Sequence, residues 1–254
     1  IHFEFADFVG ILIQWNIAFG DDTTYRTQPA FVLTLDLNGT VVTRVQSATV
    51  MANDALIVNK ANLTIKDTEG NGKLSYTYAG EKKELSVSTI SNQVGGTLTV
   101  VSGTIENATA ADNGSYAYAI DSLTNGNGGD VAVVVEGGKV VSNYIAIRQF
   151  INSDTNTNTL VVNGGAIVAG RRAINIHNKR NDTAILTIND GFISGGDYSV
   201  CAITETRNIA INGGTFEGAV WYSGTIGFIS GGTFDEAVAQ EYCAAGYIPA
   251  EAAI

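Results

Sequence analysis

A short pattern of apolar and polar positions recurs six times between residues 98 and 234. In each eight-residue copy the third and eighth positions are apolar and the sixth is glycine, and the first is apolar except at Gly227. Side chains alternate along a strand, so positions one and three share a face, and the glycine marks a bend whose backbone is left-handed or too crowded for a Cβ. Each copy is therefore predicted to form a strand, a tight bend and the start of a second strand. The copies are LTVVSGTI (98–105), VVVEGGKV (133–140), LVVNGGAI (160–167), LTINDGFI (186–193), IAINGGTF (209–216) and GFISGGTF (227–234).

A second apolar series lies between these copies. Its members are Ala119-Ile120, Ala146-Ile147, Ala173-Ile174, Ala202-Ile203 and Ala219-Val220. Because the two series stay in step, they predict one unit of about 18–28 residues that repeats with loops of variable length. Helical repeats need apolar stripes of 3.6-residue period, leucine-rich repeats need more Leu and Asn, and a propeller blade needs about 40–45 residues. The sequence thus predicts an all-β parallel β-helix over residues 31–235, with equivalent apolar residues stacked in interior ladders.

The two ends of the chain depart from this repeat. Residues 235–246 begin with acidic side chains and end at a glycine, which is typical of a short helix, so residues 236–254 are predicted to form a helical C-terminal cap. Residues 1–30 hold an alternating strand-like start and an apolar run from Phe8 to Phe19. This N-terminal segment is predicted to cap the first coil, to pair with another chain, or to attach the protein to a larger particle.

Composition and charge narrow the class of protein. With 45% hydrophobic and 15% charged residues among 254, the chain is expected to be globular rather than disordered. Its net charge of −11 argues against nucleic acid or an anionic membrane surface as partner, because phosphate binding needs a basic face. The apolar run at 8–19 is too short for a bilayer, so no membrane insertion is expected. Cys201 and Cys243 are predicted to be buried free thiols rather than a disulfide.

Segments at both ends of the repeat region carry a further signal. They are FVLTLDLNG (31–39), LTIKD (63–67) followed by GNG (70–72), the GGTF copies (213–216 and 231–234), EYC (241–243) and GYIP (246–249). These motifs resemble pectate-lyase-like right-handed β-helix proteins of gut bacteria and their phages. The resemblance implies right-handed coiling and an extracellular place on a bacterial cell surface or a virion, as an adhesin, fibre or spike. By analogy with such fibres it also implies a homo-oligomer, and a trimer in particular.

The search for catalytic chemistry begins with the acidic residues, which are scattered. Examples are Asp154, Asp182 and Glu205. A glycosidase needs two carboxylates facing one groove, and no paired-acid motif repeats from coil to coil. The string from Asp67 departs from an EF-hand loop at its twelfth position, Tyr78, and residues 126–130 lack the tandem partner of a calcium-binding nonapeptide. No catalytic residue, metal ligand or cofactor is predicted.

A ligand-binding surface is predicted beside the second apolar series. If the Ile or Val of each pair points inward, the next residues point outward and form a column of Arg148, Asn175, Thr204 and Trp221. Polar side chains around an exposed aromatic suit a glycan or a protein partner. A local basic cluster on this acidic protein is a candidate site for an anionic group; its members are Arg171, Arg172, His177 and Arg180. The simpler interpretation is a solvated polar face with a half-buried tryptophan.

Three functional hypotheses follow. The leading one is a non-catalytic structural or adhesive extracellular β-helix that contacts a cell-surface glycan or a protein, as a homo-oligomer or attached to a larger particle through residues 1–30. The second is a polysaccharide lyase or glycoside hydrolase, since this fold also carries such enzymes. The third is a carbohydrate-binding module, which would bind a glycan without turnover.

Overall fold

The computed structural model describes residues 12–17, 31–48, 53–81, 84–93, 95–125, 129–152, 155–178, 183–202, 208–223 and 226–250. These residues form 21 β-strands and two three-residue turns of 3₁₀ helix, Ala111–Asn113 and Gln240–Tyr242, with no α-helix among them. The strands are β1 (Leu12–Ile17), β2 (Phe31–Asp36), β3 (Val41–Gln46), β4 (Asp54–Asn59), β5 (Asn62–Lys66), β6 (Lys73–Tyr78), β7 (Ser86–Gln93), β8 (Thr97–Val100), β9 (Thr104–Asn107), β10 (Tyr116–Asn125), β11 (Val131–Val135), β12 (Lys139–Ser142), β13 (Ile145–Asn152), β14 (Thr157–Val162), β15 (Ala166–Ala169), β16 (Arg172–Asn178), β17 (Thr183–Ile188), β18 (Phe192–Ala202), β19 (Asn208–Ile211), β20 (Thr215–Tyr222) and β21 (Thr233–Phe234).

The strands stack into two sheets, one of eight strands and one of 13. Strands that occupy the same position in successive repeats pair directly and in parallel, as β8 pairs with β11 and β11 with β14. From β2 to β16 each repeat gives one strand to the smaller sheet and two to the larger, so the first full repeat is β2, β3 and β4. The predicted all-β class and the parallel, repeated strands are confirmed.

Interior ladders of apolar side chains hold the repeats together. The third position of the eight-residue pattern forms one continuous ladder, and all its members are buried: Val100, Val135, Val162, Ile188, Ile211 and Ile229. The first position forms a parallel ladder of Leu98, Val133, Leu160, Leu186 and Ile209. Burial of each such side chain contributes about 1.5–3 kcal/mol, so the ladders are the main cohesive element of the stack.

The glycine at position six confirms the predicted bend. All six glycines have positive φ, between 73° and 117°. They are also crowded, because each bend stacks on the bend of the preceding repeat. A Cβ built on Gly138 would lie 2.6 Å from the carbonyl oxygen of Gly103, and one on Gly165 would lie 2.8 Å from that of Gly138. Both predicted reasons for glycine, left-handed backbone and close backbone approach, therefore apply.

The second apolar series needs one correction. Ile120, Ile147 and Ile174 are register partners as predicted, but the next residue in the ladder is Val200 rather than Ile203. In this repeat β18 supplies both strands of the larger sheet in one run, with a register irregularity between Ser194 and Tyr198. The chain therefore reaches the ladder three residues earlier than the spacing of the series predicts.

The predicted C-terminal helix is wrong. The only helical element within residues 235–246 is the 3₁₀ turn Gln240–Tyr242, and the backbone of this segment also pairs with the last repeat. The amide of Phe228 donates to the carbonyl of Tyr242 at 2.9 Å, and the amide of Ala244 donates to the carbonyl of Ile229 at 2.8 Å. Strand-like hydrogen bonds to an open sheet edge thus replace those that would close a helix.

At the other end, β1 pairs antiparallel with β2, from Leu12 opposite Asp36 to Ile17 opposite Phe31. It adds one reversed strand to the end of the eight-stranded sheet. Residues 1–11 and 18–30, which complete the predicted attachment or capping segment, lie outside the described residues. None of the described residues belongs to a helix that is long and apolar enough to cross a membrane.

Candidate functional site

The predicted column lies on the larger sheet, where β10, β13, β16, β18 and β20 follow one another. Its register is Asp121, Arg148, Asn175, Cys201 and Trp221. Three of the four predicted members are therefore in line. Cys201 occupies the place predicted for Thr204, because Val200 rather than Ile203 holds the neighbouring ladder, and Thr204 itself lies outside the described residues.

Arg148 is an internal structural residue rather than an exposed ligand contact. Its Nε and Nη2 atoms donate to the two carboxylate oxygens of Asp121 at 2.8 and 2.7 Å. The guanidinium lies 4.1 Å from the ring centre of Tyr118 and 4.8 Å from that of Phe150. Only 11% of its side chain is exposed. Burial opposes the charged form, but the attraction of Asp121 prevails and raises the pKa of Arg148.

The residues in the middle of the column are also buried and cannot contact a ligand directly. Asn175 is buried, and its Oδ1 accepts a hydrogen bond of 2.8 Å from Nη1 of Arg172. Cys201 is also buried and forms no disulfide, and burial raises the pKa of its thiol. Trp221 is the exposed member, with 39% of its surface accessible. The predicted outward column is thus corrected to one exposed tryptophan at the end of a buried polar row.

The predicted basic cluster divides into two parts. Arg171 and Arg172 stand at the start of β16, whereas His177 lies five residues further on, about 16 Å away along an extended strand. His177 packs edge-on against Phe150, with ring centres 5.5 Å apart. Arg180 lies outside the described residues. The structure therefore brings two members of the cluster together and places the third elsewhere.

Arg171 is an exposed cation with an exposed partner. Its Nε lies 3.1 Å from Oδ2 of Asp197, and both side chains are about half exposed. Its Nη1 donates to the phenol oxygen of Tyr144 at 2.7 Å. The hydrogen bond to Asp197, together with Tyr144 and against the opposing effect of burial, raises the pKa of Arg171. An ion pair this exposed contributes little to stability, so Arg171 remains available to a ligand.

Tyrosines that the sequence did not single out complete this surface. The ring of Tyr116 lies 6.4 Å from that of Tyr144, and the ring of Tyr198 lies 6.4 Å from that of Trp221. A usable signal existed for two of them, since Tyr116 and Tyr144 stand three and two residues before the Ala-Ile pair of their repeat. Tyr198 breaks this spacing, because it stands four residues before Ala202. We define the aromatic–arginine face by Tyr116, Tyr144, Arg171, Arg172, Tyr198 and Trp221.

The carboxylates near this face are engaged by arginines. Asp121 is held by Arg148 and Asp197 by Arg171. In the part of the chain that the structure describes, no three His, Cys, Asp or Glu side chains converge on a possible metal position. The EF-hand-like string is a turn, because the carboxylate of Asp67 accepts the amides of Gly39 at 2.7 Å and Gly72 at 2.6 Å. The geometry of this face is suited to holding a ligand by stacking and hydrogen bonds.

Fold and face together define the class as an all-β repeat protein with parallel stacked strands and an exposed surface of aromatic rings and arginines. No protein-family model, no curated protein and no solved structure matches the chain.

Proposed function

We propose that the chain is a right-handed parallel β-helix that acts as a rigid, non-catalytic structural or adhesive module, and that its aromatic–arginine face contacts a glycan. Right-handed coiling is supported by a general rule, since crossovers between parallel strands of one sheet are right-handed in nearly all proteins. The placement on a bacterial cell surface or a virion rests on the resemblance of the repeat motifs described above.

The observation that carries the glycan contact is the array of rings beside two arginines on a sheet. Tyr116 and Trp221 are 41% and 39% exposed, whereas Tyr76, Tyr78 and Phe216 are fully buried. Tyrosine, tryptophan and arginine are the side chains most enriched where surfaces bind partners, because each offers an apolar face and a polar edge. Four of the six residues of the face, Tyr116, Arg172, Tyr198 and Trp221, lie on strands, so little conformational entropy is lost when they bind.

Screening the purified chain against an array of bacterial surface glycans tests this proposal. We expect a bound glycan, and we expect Trp221→Ala to weaken its affinity about tenfold or more. Tyr247→Ala is the matched control, since Tyr247 is 52% exposed, lies in the C-terminal tail and does not belong to the aromatic–arginine face. A bound glycan whose affinity is the same in both variants would overturn the assignment of the face.

The same glycan distinguishes binding from turnover. A non-catalytic module leaves it intact, whereas a polysaccharide lyase or glycoside hydrolase releases new reducing ends. An assay for reducing ends after long incubation would therefore overturn the non-catalytic part of the proposal if it were positive.

We further propose that the protein works as an assembly, either a homotrimer or a chain attached to a larger particle through residues 1–30. The reversed pairing of β1 with β2 supports a distinct role for this segment, since every other ladder among the described strands is parallel. Light scattering of the full chain tests the trimer. The expected mass is about three times 26.6 kDa, and a monomer at all concentrations would exclude it.

A further inference from the structure

The three arginines around the aromatic–arginine face differ in how their charge is balanced. Arg148 is neutralised by Asp121 at 2.7 Å, and Arg171 by Asp197 at 3.1 Å. Arg172 has no carboxylate within ion-pair distance among the described residues. Of the described arginines, which are Arg44, Arg148, Arg171 and Arg172, the last alone lacks an acidic partner, although the protein carries a net charge of −11.

The hydrogen bonds of Arg172 are also incomplete. A guanidinium carries five N–H donors, and here Nη1 donates to Oδ1 of Asn175 at 2.8 Å. Its Nε is buried and has no hydrogen-bond partner among the described residues. Asn175 is itself buried, so this contact holds one end of the guanidinium in a fixed position. The side chain is thus oriented by the protein, and the remaining Nη1 and Nη2 donors have no hydrogen-bond partner among the described residues.

The surroundings of Arg172 suit a sugar ring. Its guanidinium carbon lies 5.7 Å from the ring centre of Tyr198, which in turn neighbours the exposed Trp221. The nearby thiol of Cys201 supplies no negative charge, because burial raises its pKa. Two rings that can stack on an apolar sugar face therefore stand beside a positive charge that nothing in the described chain neutralises.

We propose that Arg172 forms an anion subsite on the aromatic–arginine face, so that the glycan recognised there is acidic and carries a carboxylate or a sulfate group. The oxyanion pairs with the remaining Nη1 and Nη2 donors of Arg172, and the sugar ring that bears it packs against Tyr198 and Trp221. Arginine suits this role because its planar fork matches the two oxygens of such a group. The proposal rests on the glycan-binding function proposed above and specifies its ligand.

The test uses matched oligosaccharides that are neutral, carboxylated or sulfated, with affinities measured by calorimetry on the full chain. We expect the acidic forms to bind more tightly than the neutral form and to weaken as salt is raised. Arg172→Gln should reduce affinity for the acidic forms by about 10- to 100-fold and leave affinity for the neutral form nearly unchanged. Arg172→Lys keeps the charge but loses the planar fork, so its affinity for the acidic forms should lie between those of the unmodified chain and of Arg172→Gln.

Arg44→Gln is the control variant, since Arg44 is an exposed arginine of the first repeat, paired with Asp54 at 2.9 Å. Circular dichroism establishes that each variant is folded. A neutral glycan that binds through Trp221 with no gain from acidic groups would overturn the anion subsite and leave the glycan-binding proposal standing. The absence of any glycan binding would overturn both. The carboxylated and sulfated arms identify which oxyanion the subsite prefers.

Discussion

The bends of the early repeats and those of the later repeats reach a similar stacked geometry by different chemistry. In the early repeats a carboxylate holds two bends together, since Asp67 accepts the amide of Gly39 from the bend before it and that of Gly72 from its own. In the later repeats glycine stacks on glycine, and a Cβ on Gly138 would collide with the carbonyl of Gly103.

This difference has a physical consequence. A bend fixed by a carboxylate is sensitive to the loss of charge, whereas a bend fixed by the absence of a side chain is sensitive to the addition of one carbon atom. Stability should therefore respond to different perturbations along the stack, even though the interior ladders run through both regions.

The largest effect is expected from Gly165→Ala in the later repeats. Its φ is +81°, and the new Cβ would lie 2.8 Å from backbone atoms of Gly137 and Gly138. Left-handed strain and overpacking together should cost about 3 kcal/mol, measured as the free energy of unfolding in urea. Gly70→Ala is the control, because its φ is +76° but nothing lies within 4 Å of the added carbon. It should cost about 1 kcal/mol. Equal losses would show that crowding does not matter.

A smaller effect is expected from Asp67→Asn in the early repeats. The amide group of asparagine would face one of the two glycine N–H groups with its own N–H, so one charge-assisted hydrogen bond is lost. We expect a loss of about 2 kcal/mol by urea unfolding. Glu136→Gln changes an exposed carboxylate that bonds to Asn163, and it should cost less than about 0.5 kcal/mol. A loss as small in Asp67→Asn would contradict the role given to its charge.

The pH dependence of stability should also differ between the early repeats and the later repeats. Burial works to raise the pKa of Asp36, but hydrogen bonds from Lys66, Thr68 and Asn38 outweigh it, and the pKa lies below its ordinary value of 3.8. A lowered pKa means that the unfolded chain binds the proton first, so this stabilisation is present above pH 3.8 and is lost as the pH falls below it. Hydrogen exchange corrected for intrinsic rates should show β2 and β5 losing protection before β14 and β17 on acidification. An equal loss of protection in the early and the later strands would contradict this difference between the two sets of repeats.

The smallest effect on stability is expected at the exposed asparagines that directly follow the third position of the eight-residue pattern. These asparagines hold neither kind of bend. Asn189 donates to Asn163 at 2.8 Å and accepts from Asn212 at 2.9 Å. Because water can replace both hydrogen bonds, Asn189→Ala should cost only about 0.5 kcal/mol by urea unfolding. A loss comparable to that of Asp67→Asn would mean that this row of asparagines contributes as much to the free energy of unfolding as the carboxylate that holds the early bends.

The ladders and the glycine bends could be predicted because each is encoded within a few neighbouring residues. The pattern at Leu98, Val100 and Gly103 contains the alternation and the bend, and stacking copies of it requires no further information. Two predictions were wrong for a different reason, namely that Ile203 continues the second ladder and that the C-terminal segment is helical. Pairing between repeats decided their structure, through the long β18 in one case and through the sheet edge at Ile229 in the other.

The candidate site was harder to predict because its contacts join residues far apart in the chain. Arg148 was expected to point into solvent, and the partner that buries it, Asp121, lies 27 residues earlier. Only the register of β10 on β13 places the two side by side. In the same way, only the register of β16 on β18 places Tyr198 beside Arg172, which neither the basic residues nor the tyrosines could indicate alone.

The two free thiols differ in burial and should therefore react with a thiol reagent at different rates. Cys201 is buried between β16 and β20, whereas Cys243 is half-buried in the C-terminal segment, where it pairs with Ile229. A thiol reagent should therefore label Cys243 quickly and reach Cys201 only during moments when β18 separates from its neighbours. The slow labelling rate would report how often the sheet beneath the aromatic–arginine face opens in the native protein, with no cysteine introduced by mutation.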